Sequence, residues 1–548
     1  MSSLMPQGQL EQWIDRMAAI IDAGGDPMSE EQLRFDQQSE LMPALIEKLS
    51  TMDTLLLESN QAYFSALVFA LDVCVSQLHF AEESGNRRAA HLMADLMNRL
   101  TDAIQQRTQG LNFWLPILNA FYDAQVALSP ALQEAYLALS EEESEAFQDE
   151  SIDHVGSIRA LIHELSDLST FDLAGHFFAQ SHAMPPEFFG DLMMDLCSID
   201  EGQDAALLAL LHPQAEVRDI VVMVLDTLMP NMTVSSISLS RLQAIAAWVP
   251  EVLREQIEYW IREQRKKGVV FCQETPAKLT RIQASEVDGG GAQGLFLQLK
   301  QHRATRLAGV LFKDGFGIKD SWITPAITAV EAKRYCREVL DDGVVLRTVD
   351  FEYITMMINH FLALTLEQGH MPNVHFLEFQ EELGIHFIPK PLDVPQLIEQ
   401  LAVKIEPFTQ RVVEDAFKRT SQWLYNKAFA ASWYLENESI DKWVNRCCSF
   451  QEGVKVCRFE DAMKAVFDHE LEVMRDDWVF HFLWVALWLR AGARNNEKMW
   501  QDSFLIAHAI HTGTPLADIP IMQRICHQSV VNSIETMCER RTHLSQES

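Results

Sequence analysis

At 548 residues the chain is longer than a single hydrophobic core supports, so two to four domains are expected. Its 48% hydrophobic and 22% charged content excludes a disordered chain, and no apolar run approaches the ~20 residues that span a bilayer. The net charge of −34 sits mainly in the first half: 37 acidic against 10 basic side chains through Pro250, then 41 against 34 from Glu251 onward. Such a surface repels phosphate backbones and attracts basic proteins, so a protein partner, a basic one by this charge, is expected, and neither nucleic acid nor a membrane. The same charge also serves solubility. The start of the chain has no basic stretch leading into a hydrophobic block, so no secretory signal is expected. Nine scattered cysteines, an odd number without a framework spacing, point to reduced thiols in a cytosolic chain.

Leu10, Trp13, Ile14, Met17 and Ile21 recur at helical spacing, and Gly24-Gly25-Asp26-Pro27 stops that helix. Ser29 with Gln32 reads as the cap of a polar helix. From Ser39 to Leu139 helical stripes continue, broken at Gly85-Asn86, Gly110 and Ser129-Pro130 into pieces that suit helical hairpins. The acidic run Ser140 to Glu145 reads as a solvated helix start, where carboxylates meet the positive end of the helix dipole. Further helices are expected over Asp153 to Cys197 and from Arg241 to Lys267.

Between them, Leu207, Leu208 and Leu211 end a helix at His212-Pro213. Glu216-Val217-Arg218 then opens a second helix with Ile220, Val221, Val224 and Leu228. This stretch, about 205–229, resembles one HEAT-type repeat. The resemblance implies stacked helical pairs, a shape that usually binds other macromolecules.

The stretch from Gly268 to Trp322 differs from everything around it. In Leu295 to Lys300 the residues Leu295, Leu297 and Leu299 share one face while Gln298 and Lys300 take the other, the period of a half-buried strand. Turn residues on both sides make this an antiparallel meander. Gly289, Gly291 and Gly294 formally match G-x-G-x-x-G, with Asp314 about twenty residues on. That fingerprint requires a helix where Leu295 to Lys300 alternates as a strand, so nucleotide or small-molecule binding at 289–294 is the alternative reading. The loop Lys313 to Trp322 offers Lys313, Asp314, Lys319, Asp320 and Trp322 as binding residues, set against a turn that packs Phe316 and Trp322 inward.

No metal or cofactor is expected. His375 with Glu378 and His508 with His511 each lie one helical turn apart without zinc spacing, and Cys447-Cys448 with Cys457 lacks it as well. Trp478, Phe480, Phe482, Trp484 and Trp488 read as core filling, with a peptide groove as the alternative. Helices follow from Thr324, over Phe351 to Leu366, Val374 to Leu383, Pro395 to Ile405, Phe408 to Leu435, Ile440 to Cys447, Phe459 to Glu472 and Trp478 to Leu489, and over His508 to Arg541 with a break at Gly513-Thr514-Pro515.

The expected fold is mainly α: two irregular helical-hairpin or solenoid-like halves with a small central α+β insert, an antiparallel meander plus helix. The expected domains are 1–267, 268–345 and 346–548, with a sub-boundary near 388–395. No catalytic constellation stands out, so the expected function is a non-enzymatic cytosolic scaffold that binds another protein through a helical surface. The alternative is an enzyme or regulator that holds a nucleotide or small molecule at the glycines.

Overall fold

The computed structural model describes residues 6–25, 33–35, 38, 40–52, 60–83, 86–146, 153–272, 276–301, 304–340, 344–405, 408–425, 429–451, 454–492 and 497–546. The fold is mainly α with a small antiparallel sheet in the middle of the chain, as the sequence pattern requires. Two compact units form. One comprises Met1–Ala209 with Glu216–Leu228, the other Leu210–Ala215 with Met229–Ser548. The expected cap at Ser29 and Gln32 lies outside the described residues.

In the first unit the helices Pro6–Asp22, Leu41–Ser50, Gln61–Glu83, Arg87–Gln105, Leu111–Asp123 and Pro130–Ala146 share a core built on Trp13, Leu67, Leu71, Leu100, Trp114 and Phe121. Gln61–Glu83 is long and apolar enough to cross a bilayer by length and composition. Asp72 and Gln77 interrupt its apolar pattern, so the helix contains no unbroken apolar run of spanning length. Its residues Leu67, Ala70, Leu71, Cys74, Val75 and Leu78 are buried in the protein, as a core helix requires.

The acidic run beginning at Ser140 ends a helix rather than starting one: it lies in the last turns of Pro130–Ala146. The dipole argument still holds, applied to a neighbour. The Glu143 carboxylate accepts from the Leu111 amide at 3.0 Å, at the N-terminus of Leu111–Asp123. Farther along, Gln203–Leu208, a 3-10 turn at Ala209–Leu211 and Ala215–Leu228 follow one another as helix, turn and helix.

The second unit opens with two helices, Ser236–Ala246 and Glu251–Lys266, where one was expected from Arg241 to Lys267. Pro250 separates them, because its ring disfavours helical backbone in the preceding residue. β1 (Lys278–Ala284), β2 (Ala292–Gln301), β3 (Ala304–Lys313), β4 (Gly317–Ile323) and the short β5 (Arg347–Thr348) form one antiparallel sheet in the order β4-β3-β2-β1-β5. Leu295, Leu297 and Leu299 are buried on its inner face, as the alternation demands.

That inner face packs on helices Phe351–Glu367 and Arg475–Arg490. Phe312 stacks on Phe361 at 4.7 Å between ring centres, and Phe361 meets Trp484 at 4.8 Å. A buried polar knot sits among these rings. Tyr353 donates to Gln293 Oε1 at 2.6 Å, Trp484 Nε1 donates to the same oxygen at 3.1 Å, and Gln293 Nε2 donates to the Ser285 carbonyl at 2.8 Å. The aromatic stripe from Trp478 to Trp488 is therefore core, not groove.

Two elements of the C-terminal part depart from the sequence reading. The helix expected over Phe408 to Leu435 covers only Gln410–Thr420, followed by a 3-10 turn at Trp423–Tyr425. Its side chains beyond that point, Phe429 and Trp433, fill the core around Trp488 without a helical period. After helix Glu438–Arg446 comes a β-hairpin, β6 (Cys448–Gln451) with β7 (Val454–Cys457), where only short alternations, Cys448-Ser449-Phe450-Gln451 and Val454-Lys455-Val456, mark the strands.

Candidate binding surface

Helix Ala329–Leu340 covers part of the outer face of the five-stranded sheet. Backbone register places Thr348, Gln283, Phe296, Gly309 and Trp322 in one rung across all five strands. The neighbouring rung carries Arg281, Gln298 and Leu307. Side chains alternate across a strand, so these residues share the face opposite Leu295, Leu297 and Leu299.

Gly309 is the keystone of the rung. A Cβ there would lie 2.4 Å from Trp322 Cε2, so only glycine lets the indole lie across β3. Tyr335, on helix Ala329–Leu340, meets Trp322 at 5.8 Å between ring centres. That helix packs on β3. Phe296, Gln298 and Gln283 stay half-buried and Arg281 exposed. The result is a concavity lined by Arg281, Gln283, Phe296, Gln298, Leu307, Trp322, Tyr335 and Cys336.

Its electrostatics differ from the rest of the chain. Residues 268–345 carry ten basic and nine acidic side chains, in a protein of net charge −34. Lys278, Arg281 and Lys300 are exposed on β1 and β2. The face is a shallow dip with aromatic and aliphatic carbon on its floor and basic side chains at its rim.

The five residues expected to bind are dispersed. Lys313 ends β3, its charge close to the Asp288 carboxyl. Asp314 sits in the β3–β4 turn, its amide donating to the Gly291 carbonyl at 2.8 Å. Burial and the Asp477 charge push its carboxyl up to about 6. Lys319 occupies a register skip in β4, between Ile318 and Asp320. Asp320 accepts from Asn373 Nδ2 at 3.0 Å and from the Ser321 amide at 2.8 Å. Of the five, Trp322 lines the concavity, and Phe316 stacks on His370 instead. Phe296 had a sequence signal: it is the apolar residue on the polar face of β2. Arg281, Gln283 and Tyr335 had none, because only register brings them beside Trp322.

The glycine turn is occupied by packing. A Cβ on Gly289 would lie 2.1 Å from the Ser432 carbonyl oxygen, and Gly291 adopts φ +69°. The Asp288 carboxylate accepts from the Ala292 amide at 2.8 Å, and Trp433 Nε1 donates to the Val287 carbonyl at 2.8 Å. A strand follows where a dinucleotide fingerprint needs a helix N-terminus. Asp288 and Asp314 would moreover repel a phosphate.

On the sheet's inner side, Arg306 donates to Glu378 at 2.6 Å, to Glu382 at 2.5 Å and to the Thr324 carbonyl at 2.7 Å. His375 Nδ1 lies 3.1 Å from the other Glu378 oxygen. The carboxylates are matched to a guanidinium, an arrangement that fixes helix Val374–Leu383 against β3. Among the described residues no group of three or more His, Cys, Asp or Glu side chains is placed to hold a metal ion.

Two family profiles match the chain: the Y4lR second domain over residues 185–268 and the Y4lR C-terminal helical domain over 395–534. The chain is also similar to the uncharacterized protein y4lR of Sinorhizobium fredii (strain NBRC 101917 / NGR234), 24% identical over 293 residues. That similarity covers 52% of this chain and 54% of the relative, so the chain spans about half the length of the relative it matches. No solved structure matches. The two profile matches flank the sheet, whose strands lie between 278 and 348.

Proposed function

We propose that the protein is a non-enzymatic cytosolic scaffold that grips a partner protein on the outer face of its sheet. The segment it takes is extended and acidic, with one aromatic or aliphatic side chain. The observation that carries this reading is the rung from Gln283 through Phe296 and Gly309 to Trp322, an apolar floor beside exposed Arg281. The anchor packs over Phe296 and the Trp322–Tyr335 pair, and a flanking carboxylate meets Arg281. The HEAT-like helical pair near 205–229 supports the same class of function. The balance of −27 through Pro250 favours a second, basic partner on the first half, so the scaffold would bridge partners of opposite charge.

The test uses immobilised short peptides: acidic ones with a central Trp or Leu, and the same peptides with Lys in place of Asp and Glu. Full-length protein is retained on the acidic set. R281E and W322A each weaken retention by about tenfold or more, the scale of a lost interface anchor. G309A, which pushes the indole off its seat, acts like W322A. Equal retention on both peptide sets, or retention that survives R281E and W322A, overturns the proposal.

A further inference from the structure

The β6–β7 hairpin brings two cysteines together that lie nine positions apart in sequence. Cys448 and Cys457 are directly opposite in the ladder. The Arg458 amide donates to the Cys447 carbonyl at 3.0 Å, just outside that pair. This bond marks Cys448 and Cys457 as a non-hydrogen-bonded cross-strand pair, the kind whose Cα atoms lie about 4.5 Å apart with side chains on one face. Disulfides span Cα separations of roughly 4.4–6.8 Å, so the backbone is already in range. Both thiols turn to one acceptor: Cys448 Sγ lies 3.1 Å and Cys457 Sγ 3.9 Å from the Val444 carbonyl oxygen. Both cysteines are half-buried and reduced.

We propose that Cys448 and Cys457 are a reversible dithiol pair that closes to a disulfide under peroxide. One thiolate attacks a peroxide oxygen, becoming a sulfenic acid as one water leaves. The second thiolate attacks that sulfur, forming the S–S bond and releasing a second water. Two thiols lose two electrons and two protons, and one peroxide becomes two waters. A small-molecule dithiol reverses the step. Cys447 is the natural competitor, but it is not opposite Cys457 in the ladder. Burial, with the Asp461 charge, also pushes its thiol up, away from the reactive thiolate.

Closure has a structural readout. It removes both thiol contacts from Val444, in the last turn of helix Glu438–Arg446. The same helix carries Trp443, which stacks on His469 at 4.0 Å and lies under Arg446. Trp443 Nε1 donates to Glu470 at 2.9 Å. His469 and Glu470 belong to a π-helical turn, Phe467–Leu471, the irregular helix type that recurs at functional sites.

The experiment treats reduced, desalted full-length protein with hydrogen peroxide and maps tryptic peptides without reductant. The segments Cys447–Lys455 and Val456–Arg458 should appear joined, lighter by two hydrogens, and separate again after dithiothreitol. C447S keeps the cross-link; C448S and C457S lose it while circular dichroism shows an intact fold. A cross-link that persists in C448S assigns the chemistry to Cys447 and overturns the proposal. So does peroxide treatment that leaves the two segments unjoined, whether as free thiols or as sulfonic acids.

Discussion

Gln293 shows how one side chain can hold a core together. It is buried, yet each of its polar atoms is used, by Ser285, Tyr353 and Trp484. Q293L keeps roughly the same shape and strands the Tyr353 hydroxyl proton and the Ser285 carbonyl, while Trp484 Nε1 keeps the Tyr353 oxygen at 3.1 Å. Orphaned buried groups cost about 1–3 kcal/mol each, so urea unfolding should show a loss of about 3 kcal/mol with the far-UV spectrum unchanged. A loss under about 1 kcal/mol would mean that water replaces the amide. Asp72 is the opposite case. Burial, with the Asp123 charge, pushes its carboxyl up to about 7. The folded state therefore keeps a proton that the unfolded state has released by about pH 4, and stability falls as pH rises from about 4 to 7. D72N removes this drain. Its gain in melting temperature should be small at pH 4.5, larger at pH 7.5 and level above that; a gain independent of pH refutes the assignment.

At the scale of elements, Asn373 joins a helix to a strand. Its Oδ1 accepts from the Phe376 amide at 3.1 Å and caps helix Val374–Leu383, while Nδ2 donates to Asp320 and, at 2.9 Å, to the Ser321 carbonyl on β4. N373A loses cap and tie together and should cost about 2 kcal/mol in chemical denaturation. N373D keeps the cap acceptor but sets a second carboxylate beside Asp320, so it too is destabilised. If N373D matches wild type, the tie to β4 contributes nothing. Gly384 ends the same helix in the left-handed region at φ +64°, against Pro276. Helix ends of this kind follow from local chemistry, and the sequence places this one at Leu383.

For the whole molecule, the second compact unit includes helices that precede the sheet. Arg241 pairs with Glu381 at 2.8 Å, and Trp248 meets Phe376 at 5.5 Å between ring centres. The chain entering these helices is itself held. Lys267 Nζ donates to the carbonyls of Met229, Pro230 and Met232, and Gln264 donates to Met229 and Met232. A fragment 229–548 should therefore melt cooperatively by circular dichroism. One that begins at Ser236 loses those acceptors and should melt several degrees lower. Equal melting of the two fragments would show that these bonds do not support the unit.

Much of this protein is written in local patterns. The mainly helical class, the strand at Leu295 to Lys300 with its inward leucines, and the turn at the glycines all follow from periods of 3.6 and 2 and from residues that tolerate positive φ. These features depend on neighbours a few positions away, so the chain order alone determines them. The candidate surface depends on strand register. Gln283, Phe296, Gly309 and Trp322 meet because hydrogen-bond ladders align four strands, and Cys448 faces Cys457 for the same reason. Slipping a strand by one residue leaves its internal alternation intact but sends every side chain to the other face. A period of two therefore says which residues of a strand share a face, and only the paired tertiary structure decides which residues of other strands stand beside them.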